Sequence, residues 1–327
     1  MNDPRVRVPR RAVHGVLLLD KPLGLSSNDA LQKAKRLYRA EKAGHTGTLD
    51  PLATGLLPLC FGAATKFAQA SLDADKAYRA TLQLGRTTTT GDAEGEVLRE
   101  RPVAVSREQA QAACARFVGA ITQVPPMHSA LKHEGRALYA LARAGIEVER
   151  APRAVTIHAI EIVELAGNRL TLDVRCTKGT YIRTLAEDLG EALVCGAHLA
   201  ALRRTASGAL ALVGAHTLDE LAALDEAERD ALLLPADALL ADWPEVRLGE
   251  DDAGRFLSGL RRRLDAEDAE RVRVYGPASQ VPAGGAGRRA FLGSGHIHAR
   301  ELIPTRLLSP LEVQGLLDAP ARTRDPR

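Results

Sequence analysis

Residues 155–165 and 169–176 alternate apolar and polar side chains on either side of Gly167-Asn168. Two period-two runs around a short turn-forming pair are the pattern of a β-hairpin. Residues 78–85 alternate in the same way, and 15–20 form a short apolar run closed by Lys21-Pro22, which reads as a buried strand ending in a turn. Single helical patterns lie between these strands. Over 29–41, Leu31, Ala34, Leu37 and Tyr38 recur at helical spacing beside Lys33, Lys35 and Arg36, with an N-cap offered by Ser26, Ser27 or Asn28. Further helices are predicted over 106–117, 181–193 and 218–224. Hairpin strands interrupted by single helices predict an α+β domain, a largely antiparallel mixed sheet flanked by helices, rather than a regular βαβ array.

The 327 residues suffice for two domains. A composition shift at 241–244, Ala-Asp-Trp-Pro, marks a boundary, so that 15–243 form one domain and a small β-rich module follows over 244–310. Residues 1–14 read as a basic arm, 277–287 as a Gly/Pro-rich loop and 319–327 as a disordered tail. Cys60, Cys114, Cys176 and Cys195 are far apart and form no C-x-x-C pair, so they read as reduced, mostly buried thiols of a cytoplasmic protein. His296 and His298 share a strand face, but without a third ligand a metal is not expected. There is no signal-peptide core and no run of membrane-spanning length. The net charge of +3 does not by itself establish a nucleic-acid partner. Arginines nevertheless cluster at 203–204, 261–263 and 288–289, and each such cluster is also consistent with a solvated face.

The segment 44–55 holds three glycines, three threonines and a single acid, Asp50, placed directly before Pro51. Pro51 disfavours helix at Asp50, while Gly44 and Gly47 permit the backbone geometry of a ligand-facing loop. An isolated Asp-Pro is also the composition of an Asx-turn or a helix N-cap. Neither a Walker loop nor a Rossmann fingerprint occurs. In 178–185, Tyr181 and Arg183 stand where a strand gives way to a helix. A tyrosine between Lys178 and Arg183 suits stacking on a base, and equally suits a core position beside a solvated arginine. Tyr78 lies between Lys76 and Arg79, with an ordinary strand-face role as the alternative. Residues 198–204 place apolar side chains before Arg203-Arg204 and read as a helix whose charged end fits its dipole.

Taken in order, these segments resemble the TruB family of bacterial transfer-RNA pseudouridine-55 synthases. The matching features are Asp20-Lys21-Pro22, the loop 44–55, Lys76-Ala77-Tyr78, Thr90-Gly91-Asp92, Gln123-Val124-Pro125-Pro126, 178–183 and 196–204. The resemblance implies a pseudouridine-synthase-like fold with a PUA-like C-terminal module that binds RNA. It implies that Asp50 is the catalytic aspartate and that Arg183 pairs with it. His45, Tyr78, Tyr181 and Leu202 match positions that contact the substrate nucleotide, and Tyr78 is also a catalytic candidate. Lys21 belongs to a motif that looks structural. Residues 123–150 resemble an insertion that closes over the RNA. Where many relatives carry tyrosine after Pro-Pro-x, this chain has His128.

The implied partner is the T-arm stem-loop of transfer RNA, with no membrane and no obligate protein partner, and the chain is expected to be a monomer. Isomerising uridine to pseudouridine exchanges a C1′–N1 for a C1′–C5 bond without net redox change or an added group, so no cofactor is required. The base has to be flipped out of the folded arm at a cost of roughly a few kcal/mol. Arg183 would favour the ionised form of Asp50, and burial would oppose it. Attack on the sugar, attack on the base and proton removal at C2′ all remain open. Two other classes are compatible with parts of the sequence: a non-catalytic RNA-binding protein, and a retaining glycosidase, which needs a second carboxylate near Asp50.

Overall fold

The computed structural model describes residues 9–129, 131–278 and 289–318. Among these, the main sheet has nine strands. Its path runs Gly15–Lys21, Ala53–Phe61, Ala197–Ser207, Lys76–Leu84, Arg169–Cys176, Arg153–Ala166 and Gly119–Gln123; Ala43–His45 pairs with Ala53–Phe61, and Leu210–Ala211 with Ala197–Ser207. Every pairing is antiparallel except that of Ala53–Phe61 with Ala197–Ser207. The expected hairpin closes with Ala166 opposite Arg169 and Gly167 at φ 56°.

Alternation buries this sheet on both faces at its first edge. Leu17, Leu19, Leu57, Leu59 and Phe61 pack with Ala30, Leu31 and Ala34 of the helix Ser27–Leu37. Val16, Leu18, Leu56 and Cys60, offset by one residue, pack instead with Phe67, Leu240, Tyr275 and Phe291. A strand with both faces covered needs apolar residues at nearly every position, which is why the runs at 15–20 and 53–61 do not alternate in polarity. The helices Arg107–Ala115 and Ile182–Ala192 cover the remainder of the sheet through Ala110, Ala113, Leu185 and Leu189.

A second sheet, ordered Glu245–Arg247, Ala269–Pro277, Arg289–His298, Glu301–Leu307 and Arg262–Arg263, has its own core of Val246, Phe256, Val272, Val274, Leu292 and Leu302. It does not stand apart from the main sheet, because the Phe67 and Phe291 rings meet with centroids 5.1 Å apart. Among the described residues no helix is long and apolar enough to cross a membrane.

Local expectations fail in three places. The helix expected over 29–41 spans Ser27–Leu37: Ser26 caps it by accepting from the Asp29 amide, and Arg39 at φ 51° turns the chain out. Residues 198–204 are not a helix but part of the central strand Ala197–Ser207, where strands on both sides take up the backbone hydrogen bonds that a helix would have used internally. The helix Pro310–Asp318 was not expected. Its signal was present, for Ser309 and Glu312 exchange capping hydrogen bonds around Pro310. The expected tail 319–327 and nearly all of the loop 277–287 lie outside the described residues, as does the arm before residue 9.

Lys21 shows how the first strand is joined to the turn that follows it. The side chain is fully buried, and its Nζ donates to the carbonyls of Pro22 and Leu25 at 2.9 and 2.6 Å. Lys21→Met removes the donor from both. Its expected cost is about 1–3 kcal/mol of folding stability, read as a lowered urea midpoint at unchanged slope; an unchanged midpoint would show that the turn closes without the ammonium.

Candidate active site

The 44–55 segment forms two strand ends with a tight loop between them. The Thr46 amide donates to Pro58 O at 3.1 Å, and Gly47 takes φ 102°. Ser27, at the start of the first helix, holds the loop from below: its Oγ accepts from the Leu49 amide at 2.7 Å and donates to the Leu49 carbonyl at 3.0 Å. The Ala53 amide closes a turn on Asp50 O, and Gly24 N–H donates to Pro51 O. Four backbone anchors within eight residues leave Asp50 little freedom, and its carboxylate faces a cavity of about 410 Å³.

The strand ends and the helix Ile182–Ala192 place other candidates around the same space. Tyr78 comes from the strand Lys76–Leu84, Leu202 from Ala197–Ser207, and Tyr181 is the N-cap residue of the helix. Gln123 fixes Tyr181 from the insertion side, its Oε1 accepting from the Tyr181 amide at 2.9 Å and its Nε2 donating to the Tyr181 carbonyl at 3.2 Å. Arg183, in the first turn of the helix, has a buried guanidinium. Nη2 donates to Asp50 Oδ2 at 2.9 Å and to His128 O at 2.5 Å, while Nη1 lies 3.3 Å from Asp92 Oδ2. His45 is placed differently. It sits on the short strand Ala43–His45, does not line the cavity, and has a buried Nδ1 without a hydrogen-bond partner among the described residues. Burial, reinforced by Arg204, pulls the His45 imidazole below its ordinary range.

Burial pushes the Asp50 carboxyl above its ordinary value; the Arg183 guanidinium opposes that shift and the Asp92 carboxylate adds to it. Asp92 itself is buried and held by the Thr90 hydroxyl at 2.6 Å and the Glu94 amide at 3.1 Å. It does not line the cavity, so Asp50 is the one carboxylate among the described lining residues. That arrangement lacks the pair of cavity-facing acids a retaining glycosidase uses.

A family model described as TruB family pseudouridylate synthase (N terminal domain) matches residues 35–182, and one described as tRNA pseudouridylate synthase B C-terminal domain matches 183–241. A protein of Ralstonia nicotianae named tRNA pseudouridine synthase B is 61% identical over 295 residues, covering 88% of this chain and 94% of the relative. This chain belongs to the TruB family. A second relative of that name, from Verminephrobacter eiseniae, is 56% identical and covers 98% of this chain and 96% of its own length. Among solved structures, the archaeal box H/ACA sRNP Nop10-Cbf5 complex contains a chain with TM-score 0.68 and 22% identity, covering 96% of this chain and 94% of that one. A chain of a Cbf5-Nop10-Gar1 complex has TM-score 0.69 at 23% identity. At that identity the likeness concerns the fold: a large mixed sheet followed by a small β-rich one.

Within this TruB-family site, several residues hold roles that the sequence did not assign to them. Ser27 and Gln123 act through backbone groups distant in sequence, Asp92 braces Arg183, and Arg204 lies buried in the cavity wall. No spacing rule links Ser27 to Leu49. Asp92 and Gln123 did stand in quoted motifs, but only their side-chain partners reveal what they hold.

Because Arg183 opposes the upward push on Asp50, its removal has a definite sign. If Asp50 works as the carboxylate, activity is lost as pH falls through its folded pKa, which lies above the ordinary 3.8. Arg183→Met removes an influence that lowers that pKa, so the acidic limb of the single-turnover rate is expected to move to higher pH. A limb at the wild-type position would mean that Arg183 does not govern the ionisation of Asp50.

Proposed function

We propose that this TruB-family chain isomerises uridine to pseudouridine at position 55, in the T-arm of transfer RNA, and that Asp50 is the carboxylate that acts on the flipped nucleotide. The observation that carries this reading is the Asp50–Arg183 pair in the wall of a cavity of about 410 Å³ that is also lined by Tyr78, Tyr181 and Leu202. A flipped base forfeits its neighbours in the RNA stack. Aromatic stacking returns about 1–3 kcal/mol per base, which is the scale of the flipping cost. Tyr181 supplies a face, Leu202 an apolar wall, and Tyr78 both a ring and a hydroxyl that can exchange a proton with the sugar. His45, outside the cavity, fills the place in the RNA that the uridine leaves.

In this reading residues 15–243 form the catalytic domain, with the insertion at about 123–150 closing over the RNA. Residues 244–310 form a PUA-like RNA-binding module. The insertion touches the catalytic pair directly through His128 O and Arg183, which supports closure and active-site geometry being linked. The reaction needs no cofactor because its atoms balance within the nucleoside. The chain works as a cytoplasmic monomer on transfer RNA, without an obligate protein partner.

The test is incubation of the full chain with a T-arm stem-loop, followed by mapping of pseudouridine. Product at position 55 is expected, and none when that position carries cytidine. Tight binding with no isomerised product would replace this reading with that of an RNA-binding protein.

A further inference from the structure

We propose that Arg204 is a positioning residue of this reaction, its guanidinium tying the Asp50 loop to the central sheet and presenting a buried positive charge to the hydroxyl of Tyr78. The inference rests on the reading of Tyr78 as the group that exchanges a proton with the sugar.

Arg204 is 1% exposed, a burial rarely found for arginine. Nε donates to Leu56 O at 2.7 Å and Nη2 to Gly47 O at 3.3 Å, so one planar group spans both arms of the catalytic loop. Arg204 is directly opposite Tyr78 in the antiparallel ladder, and both line the cavity. Among the described residues no carboxylate lies within ion-pair distance of it. Its ordinary means of offsetting burial is missing, since neutral carbonyls return only part of what an arginine loses on leaving water. A charge kept under those conditions is favourable where negative charge develops during a reaction.

Tyr78 is where that charge would develop. Acting as phenolate after its proton has passed to solvent, Tyr78 accepts the proton from C2′. The C2′–H pair becomes the C1′=C2′ double bond, and the C1′–N1 pair leaves on uracil N1. After the base rotates, the phenol returns the proton to C2′, the C5=C6 pair forms the C1′–C5 bond, and the Asp50 carboxylate accepts the C5 proton while N1 takes one from solvent, to which Asp50 then returns its own. Burial pushes the Tyr78 hydroxyl above its ordinary value, and Arg204 is the foremost influence pulling it back. The other groups facing Tyr78 are the Cys176 thiol on the neighbouring strand and the Asp50 carboxylate in the loop, and both push it upward. Lys76, Lys21 and His45 stand within the field of Arg204 from the adjoining elements.

The experiment is a pH series of single-turnover rates at saturating T-arm RNA, for Arg204→Gln and Arg204→Lys, each in the wild-type and Tyr78→Phe backgrounds. Arg204→Gln is expected to lower the neutral-pH rate about 100-fold and to move the rise of rate with pH to higher pH. Arg204→Lys, which keeps the charge, is expected to recover part of both. In the Tyr78→Phe background the loss is expected to shrink to about tenfold or less, the part that comes from the loosened Asp50 loop, and the pH shift to disappear. If Tyr78→Phe turns over at the wild-type rate, the reading of Tyr78 fails and the inference with it. If Tyr78→Phe is slow but the Arg204 substitutions cost the same factor in both backgrounds, or leave the pH profile unmoved, the inference alone is overturned. Should Arg204→Gln not fold, ultraviolet difference titration of Arg204→Lys against its Tyr78→Phe partner reads the ionisation of Tyr78 directly; a titration at the wild-type position overturns the proposal.

Discussion

Asp50→Asn is expected to slow single-turnover pseudouridine formation by more than about 10⁴-fold while T-arm affinity stays within about threefold of wild type. The size follows from the cavity, in which no other described lining residue carries a carboxylate, so none can take over the role. The selectivity follows from the proposed reading, in which the RNA is gripped along the T-arm while Asp50 meets only the flipped nucleotide. Stability is not expected to suffer. The Asp50 carboxyl is raised above its ordinary value in the folded chain, so its contribution favours the fold at low pH and is lost as pH rises through the folded pKa. At neutral pH the ionised group therefore works against folding, and the melting temperature of Asp50→Asn should equal or exceed that of wild type. Turnover within about tenfold of wild type would remove Asp50 from the chemistry.

Gly55→Ala, five residues along in the same segment, is expected to fail for the opposite reason. Gly55 has φ 95°, and a Cβ there would lie 2.3 Å from Arg204 O and 2.8 Å from Arg204 N. It pairs with Lys21 on one side and with Arg204 on the other, at the sheet's single parallel junction. A methyl group can be admitted only by parting those strands, which also displaces Leu202 and Arg204 from the cavity wall. The expected loss is about 4 kcal/mol or more in urea unfolding, with activity falling in step. Gly44→Ala is the control. It opens the same segment, but nothing lies within 4 Å of its Cβ position and its φ is ordinary, so a change below about 0.5 kcal/mol is expected. Equal stability of the two variants would contradict this account of the motif.

These contrasts show what the motif does and does not announce. Gly44, Gly47 and Gly55 look alike on paper, yet one is open, one turns the loop and one admits a neighbouring strand. The alternation at 155–165 and 169–176 and the helix over 106–117 were legible because periodicity is a local property. The strand Ala197–Ser207 was misread as helical because its apolar residues also fit a helix. The choice was made by Lys76–Leu84 and Ala53–Phe61, which lie far away in sequence and supply its hydrogen bonds.

From the sequence came the α+β class, the strands at 15–20, 78–85, 155–165 and 169–176, the helices over 29–41, 106–117, 181–193 and 218–224, the TruB-family resemblance, and Asp50 as the acid of the Gly/Thr-rich loop. Those rest on short-range pattern and on residue types that few other loops would combine. Which groups share one space was set only when the chain folded. Folding brought Arg183 to within 2.9 Å of Asp50 across 133 positions, set Asp92 behind that pair, and left Arg204 buried beside Tyr78 with no carboxylate in ion-pair reach among the described residues. Charge, burial and hydrogen bonding are properties of atoms in space, and a linear order specifies them only once the chain has closed its sheet.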